Sequence, residues 1–279
     1  VVRRGNNKNM KLPTDNLSYP VRIIIGASSG SGFLVRHFDD LYFVTAKHVL
    51  YQLNPLSGEL KLFDNSLQLV CHLFLNGKTA TAPRIYQLNL DALRASNDLK
   101  VHKDADIVII RLGTIKTTDG NQTVHMPDSV KIVKESEGSL VHCLMSTSRK
   151  FNDVEITNDV FVLGYPSSLS TPEMKHIDYN SPLARKGIVA GKNSGNKTLV
   201  LDCPVYGGNS GGLVLEQILL DNGLVSISLA GMIVQFVPFI DQWSNIKFPA
   251  LVNSNFQNSG YSIALPVDYI YDLISEIKQ

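Results

Sequence analysis

Apolar residues in this chain come in short runs set off by turn residues, not in stripes of helical period. Val21-Arg22-Ile23-Ile24-Ile25 is a β-branched run, Gly26 to Gly32 interrupts it, and Phe33-Leu34-Val35 resumes it. Asp39-Asp40 then reads as a turn before Leu41-Tyr42-Phe43-Val44-Thr45. Short β-rich runs between turn residues predict strand, turn and strand in succession. The same texture recurs at Leu67 to Leu75, Ile107 to Ile110, Leu140 to Leu144, Val160 to Leu163, Gly187 to Ala190, Thr198 to Leu201, Gly212 to Leu215, Val225 to Val234 and Tyr261 to Leu265.

Two segments depart from it. Leu88 to Leu99 is a weak helix candidate. Val267 to Lys278 is a better one, with Ile270, Leu273, Ile274 and Ile277 on one face and Pro266 and Asp268 at its start. Many short strands and a final helix predict an all-β architecture: two six-stranded antiparallel β-barrels in series and a C-terminal helix. The first barrel is expected over about 21–115 and the second, with the helix, over about 139–279. The polar stretch from Lys116 to Gly138 is expected to connect them, and residues 1–20 to form an N-terminal arm carrying Asn6 to Asn9. The uncharged stretch Gly223 to Ile240 contains Gln235 and Pro238 and alternates its β-branched residues, so it reads as two buried strands joined at Ala230-Gly231 and not as a membrane span.

Charge then narrows the classes of function. Lys and Arg total 26 against 25 Asp and Glu. That balance gives no basic face for nucleic acid and no acidic tail for a basic partner. Cys71, Cys143 and Cys203 are an odd, sparse set, poor as a disulfide framework. A reducing compartment such as the cytoplasm is slightly favoured, and the periplasm fits if a leader was removed. Cys71-His72 and His142-Cys143 do not read as a zinc site, because neighbours on a strand face opposite ways. No metal or cofactor is called for.

The chemistry sits in three places. Ser210 lies in Gly207-Gly208-Asn209-Ser210-Gly211-Gly212. Glycines permit a turn that aims the amides of Gly208 and Ser210 at one point beside the hydroxyl, an oxyanion hole made of backbone. His48 follows the strand ending at Thr45 and is the candidate base; on its own, a histidine so placed reads better as a satisfied core residue. Asp106 directly precedes the apolar run Ile107 to Ile110 and is the candidate orienter. Asp104, beside Lys103, is the alternative in a wetter setting.

Taken together, Gly30-Ser31-Gly32-Phe33-Leu34-Val35, Val44-Thr45-Ala46-Lys47-His48-Val49, Asp106-Ile107-Val108-Ile109-Ile110 and Gly208-Asn209-Ser210-Gly211-Gly212 resemble the trypsin-like serine peptidases of chymotrypsin fold, in the order His, Asp, Ser. Gly164-Tyr165-Pro166 and Ala264-Leu265-Pro266 resemble the bacterial Do-like heat-shock branch. The resemblance covers roughly Val21 to Ile277. It implies His48 as general base and acid, Asp106 as its orienter, Ser210 as nucleophile, and the amides of Gly208 and Ser210 as oxyanion donors.

The chain also departs from that pattern. Digestive relatives carry an aspartate before the serine; Asn209 has no charge to hold an N-terminal ammonium, so activation by cleavage at Val1 is not expected. Pro204, six positions before the serine, and Val234 are the expected specificity-pocket residues. An uncharged pocket favours a small or aliphatic residue before the scissile bond. Protein or peptide is the expected partner. The rival reading is a peptidase-fold binding or signalling module with little or gated turnover.

Overall fold

A computed structural model describes residues 2–4, 12–80, 82–118, 121–169, 178, 181–244, 247–248, 250 and 252–277. Val1, Asn6 to Asn9 and Lys278 lie outside the described residues. With 54% of residues in strands and 13% in helices, the chain is a β protein with a C-terminal helix.

The first sheet grows by tight hairpins. Pro20–Ile25 turns through Gly26-Ala27 into Ser28–His37, with Ile25 opposite Ser28 and Gly26 at φ +54°. A two-residue hairpin loop wants a residue of positive φ, and glycine supplies it without strain. Ser28–His37 then turns through Phe38-Asp39 into Asp40–Thr45. The full sheet has ten strands and stays open. Its main path runs Leu99–Val101, Val108–Thr118, Asp40–Thr45, Ser28–His37, Pro20–Ile25, Ser66–Cys71, Arg84–Asn89, Val130–Lys134; Asn121–His125 and Cys143–Leu144 attach to its sides. Ile23, Ile25, Phe33, Phe43 and Ile107 to Ile110 are buried with no exposed surface.

The second sheet closes. Asp159–Gly164, Leu183–Asn193, Thr198–Asp202, Val252–Pro266, Leu224–Ser244 and Leu213–Leu219 pair in a ring, and Val2–Arg4 adds outside it against Leu224 to Ser226. Its own core holds Val160, Val162, Leu199, Leu201, Cys203, Val214 and Ile233.

Five expectations need correction. Only the second half is a ring of six strands; the first is an open, curled sheet of ten. The gap falls between Asn121–His125 and Val130–Lys134, where a cavity of about 680 Å³ is lined by Leu41, Tyr86, Ile115, Val124 and Ile132. The stretch 116–138, expected as a plain connection, contributes those two strands to the first sheet. Leu88 to Leu99 is helical only over Leu90–Ala95, where the Asn89 side chain caps the first turn by accepting from the Ala92 amide. Gly223 to Ile240 is not two strands: Leu224–Ser244 is one 21-residue strand with a bulge at Ala230, since Val214 faces Gly231 and Leu215 faces Leu229. Within the expected N-terminal arm, Val2–Arg4 is a strand and Thr14–Ser18 a short 3-10 helix.

The helix Asp268–Ile277 buries Ile270, Leu273 and Ile274 in the core of the first sheet. It follows the last strand of the second sheet, so it ties one half to the other. Among the described residues no helix is long and apolar enough to cross a membrane.

Candidate active site

Strand register brings His48 and Asp106 together. Thr45 pairs with Val108 in antiparallel strands, so the residues after Thr45 and those before Val108 leave the sheet at the same end. His48 follows the strand Asp40–Thr45 as expected, but not in extended backbone. It sits on a single helical turn, Lys47–Leu50, which buries Val49 and Leu50 and leaves the imidazole half exposed. Lys47 precedes it on the same turn. Asp106 holds the turn with both carboxylate oxygens. Oδ1 accepts the His48 backbone amide at 3.0 Å, and Oδ2 lies 2.6 Å from His48 Nδ1.

Burial pushes the Asp106 carboxyl upward, but its hydrogen bonds to the His48 ring and amide, with the nearby charges of His48 and Lys47, outweigh that and hold it below the usual carboxylate range. An anion fixed against Nδ1 selects the tautomer with the proton there and leaves Nε2 as the basic nitrogen. Asp104, the alternative orienter, is exposed and lies 3.8 Å from Lys103 Nζ.

Ser210 reaches this end of the sheet through Ser31. The Ser31 amide donates to the Ser210 carbonyl at 3.1 Å, and the Thr45 hydroxyl donates to the Ser31 carbonyl at 2.8 Å. Gly211 makes the approach possible. At φ +84°, a Cβ there would lie 2.0 Å from the Ser31 carbonyl oxygen and 2.5 Å from Thr45 Oγ1. On the other side, Gly211 N donates to Ile233 O and Ile233 N to Gly212 O, each at 2.8 Å. The serine loop is thus clamped between the two sheets. Its hydroxyl donates to the Val234 carbonyl at 3.3 Å, and among the described residues no hydrogen bond joins Ser210 to His48.

The turn before the serine is braced just as closely. Asn209 is buried; its side-chain oxygen accepts the Tyr206 amide at 3.0 Å, and its own amide donates to Tyr206 O at 2.9 Å. Gly208 has φ +94° and no room for a Cβ, with Ser167 N at 2.3 Å and Tyr165 O at 2.5 Å from that point. Its carbonyl accepts the Ser31 hydroxyl at 2.6 Å, and Ser31 Oγ in turn accepts the Tyr165 amide at 2.7 Å. The amides of Gly208 and Ser210 donate to no hydrogen bond among the described residues.

Of the expected pocket residues, Val234 is buried and presents its carbonyl to Ser210. Pro204 is half-buried just after the strand Thr198–Asp202. Sequence reasoning missed Ser31 as a structural link. The Gly30-Ser31-Gly32 triplet was a visible signal, since a polar residue between two glycines in an apolar run marks a close approach of another segment.

Comparison with known proteins gives the family. The trypsin-like peptidase domain family matches residues 30–218, and the chain belongs to that family. It is a serine endopeptidase of the trypsin-like type. No curated protein matches it. Similar solved structures include Deg5, at 15% identity and TM-score 0.47, covering 92% of this chain and 88% of that one. The HtrA-type protease AlgW with a tripeptide, at 12% identity and TM-score 0.47, covers 94% and 60%. The serine endoprotease from Yersinia pestis, at 15% identity and TM-score 0.47, covers 94% and 63%. This chain thus spans less than two thirds of the last two.

Proposed function

We propose that His48, Asp106 and Ser210 form the catalytic triad and cleave peptide bonds through an acyl-enzyme. The observation that carries this is the two-point grip of Asp106 on His48, at 3.0 Å to the amide and 2.6 Å to Nδ1. It fixes the ring with Nε2 as the available base. Ser210 Oγ attacks the scissile carbonyl carbon as its proton passes to Nε2. The new oxyanion is received by the amides of Gly208 and Ser210, which donate to no other group among the described residues. The C–N bond breaks, and the amine leaves with the proton from His48. Water then repeats the sequence against the ester, and the acid product leaves.

One observation favours a resting form within this reading. The Ser210 hydroxyl donates to Val234 O and must rotate away from it to reach His48. Rotation about one side-chain bond is a small, fast change, so this contact does not itself keep the hydroxyl from the imidazole. The expected uncharged pocket around Pro204 and Val234 suits a small or aliphatic residue before the cut.

Hydrolysis of an unfolded protein by wild type and by Ser210→Ala tests the proposal. A fall of roughly 10⁶ in turnover is expected if the triad acts as a unit. Residual turnover near wild type would sink it and leave the binding-module reading in its place.

A further inference from the structure

The strand that carries Val234 does not stop at the catalytic centre. Leu224–Ser244 runs on beyond the ring, paired among the described residues only with Val252–Pro266, as a two-stranded arm. The family match ends at residue 218, before this arm begins. Between Leu224 and Ser244 the one charged side chain is Asp241, and Val252 to Gly260 has none. Phe239, Ile240, Trp243 and Phe256 are 55%, 48%, 50% and 66% exposed. So much exposed aromatic surface marks a contact site.

Which face they occupy decides what covers them. Ile240 pairs with Phe256, so these two share one face of the ribbon; Phe239 and Trp243 pair with Gln257 and Asn253 on the other. A flat protein surface covers one face only. A lipid layer covers both, but the arm also has an open backbone edge: among the described residues, Gln235 to Ser244 pairs along one side only. Unpaired backbone groups are not tolerated in hydrocarbon. An extended peptide added along that edge answers both demands. Its backbone satisfies the open groups, and its alternating side chains fall on the two apolar faces in turn. The edge is continuous with the catalytic centre, because Ile233 is bonded to Gly211 and Gly212 and Val234 O meets Ser210 Oγ.

We propose that the arm is a substrate track: it binds, as an added strand, an apolar segment of the polypeptide lying several residues to one side of the scissile bond. The proposal takes the Ser210 centre as the reacting end of that track. From Val234 to Trp243 the strand spans roughly 30 Å at about 3.3 Å per residue, so the segment read extends about nine residues from the cut. Pro238 lacks an amide and interrupts the edge once, which also blunts unwanted pairing between arms.

The test uses three quenched, labelled peptides sharing one scissile segment. The first carries a Phe- and Leu-rich block four residues away on the amino side, the second carries it on the carboxyl side, and in the third the block is Ser and Asn. Binding is measured by anisotropy on Ser210→Ala protein and cleavage on protein with Ser210 intact, each with and without Trp243→Ser plus Phe256→Ser. One of the two block peptides, and only one, is expected to bind and be cut about tenfold better than the third, and the paired substitutions should erase that ratio. Equal binding and equal rates for all three overturn the track. So does a ratio that survives the paired substitutions, or an arm-dependent dimer seen by sedimentation without any peptide preference. Preferential binding without any cleavage would uphold the track while refuting the role of Ser210.

Discussion

The Ser31 hydroxyl donates to the Gly208 carbonyl at 2.6 Å across a sequence separation of 177 residues. Fixing that carbonyl fixes the peptide plane ahead of the serine, on the loop whose Gly208 and Ser210 amides are read as the oxyanion donors. Ser31→Ala leaves the Gly208 carbonyl and the Tyr165 amide each without this partner, at a position where Ser31 itself is fully buried. We expect kcat to fall about tenfold to a hundredfold with KM little changed, since an oxyanion donor acts on the transition state. Steady-state kinetics on a peptide substrate checks this; a change confined to KM would remove Ser31 from the positioning of the loop.

Gly211 should tolerate no side chain. Its φ of +84° and the 2.0 Å approach of the Ser31 carbonyl to a Cβ position combine backbone strain with a clash against backbone. Gly211→Ala is expected to cost roughly 2–4 kcal/mol of stability. Urea unfolding measures it, and a loss within about 0.5 kcal/mol, the range of ordinary surface changes, would contradict the clamped loop.

Asp106→Asn separates orientation from packing. The amide keeps the shape but loses the anion at His48 Nδ1, and turnover should fall by about 10⁴. Stability should change with a definite sign. The Asp106 carboxyl is held below its usual range in the folded chain, so the unfolded chain binds more protons near that range. The stabilisation is therefore present above the usual carboxylate range and is lost as pH falls through the lowered value. The melting temperatures of wild type and Asp106→Asn should differ at pH 7 and converge toward pH 3; a constant gap would contradict the lowered carboxyl.

Much of this was legible in the sequence, and the parts that were not share a cause. His48, Asp106 and Ser210 stood out because residue types suited to acyl transfer lie in particular local settings: just after a strand, just before one, and in a glycine turn. Runs such as Phe33 to Val35 and Ile107 to Ile110 stood out because they are buried on both sides. Val130–Lys134 did not, because only Val130 is buried and the next four residues are exposed, so no alternation betrays the strand. The bulge at Ala230 is set by its partners Val214 and Leu215, which lie far away in sequence, so an apolar run read locally looks like two strands. Ser31 was visible as a residue but not as a link, because its partners Gly208, Ser210 and Tyr165 come from the other half of the chain.

The central claim is that Ser210 is a nucleophile activated by His48. Its most direct test is a fluorophosphonate probe, followed by mass spectrometry of the peptide that carries the adduct. A single adduct on Ser210 is predicted, lost in Ser210→Ala and slowed by at least about 10³ in His48→Ala. An adduct elsewhere, or none on Ser210 with and without an occupying peptide, would contradict the account.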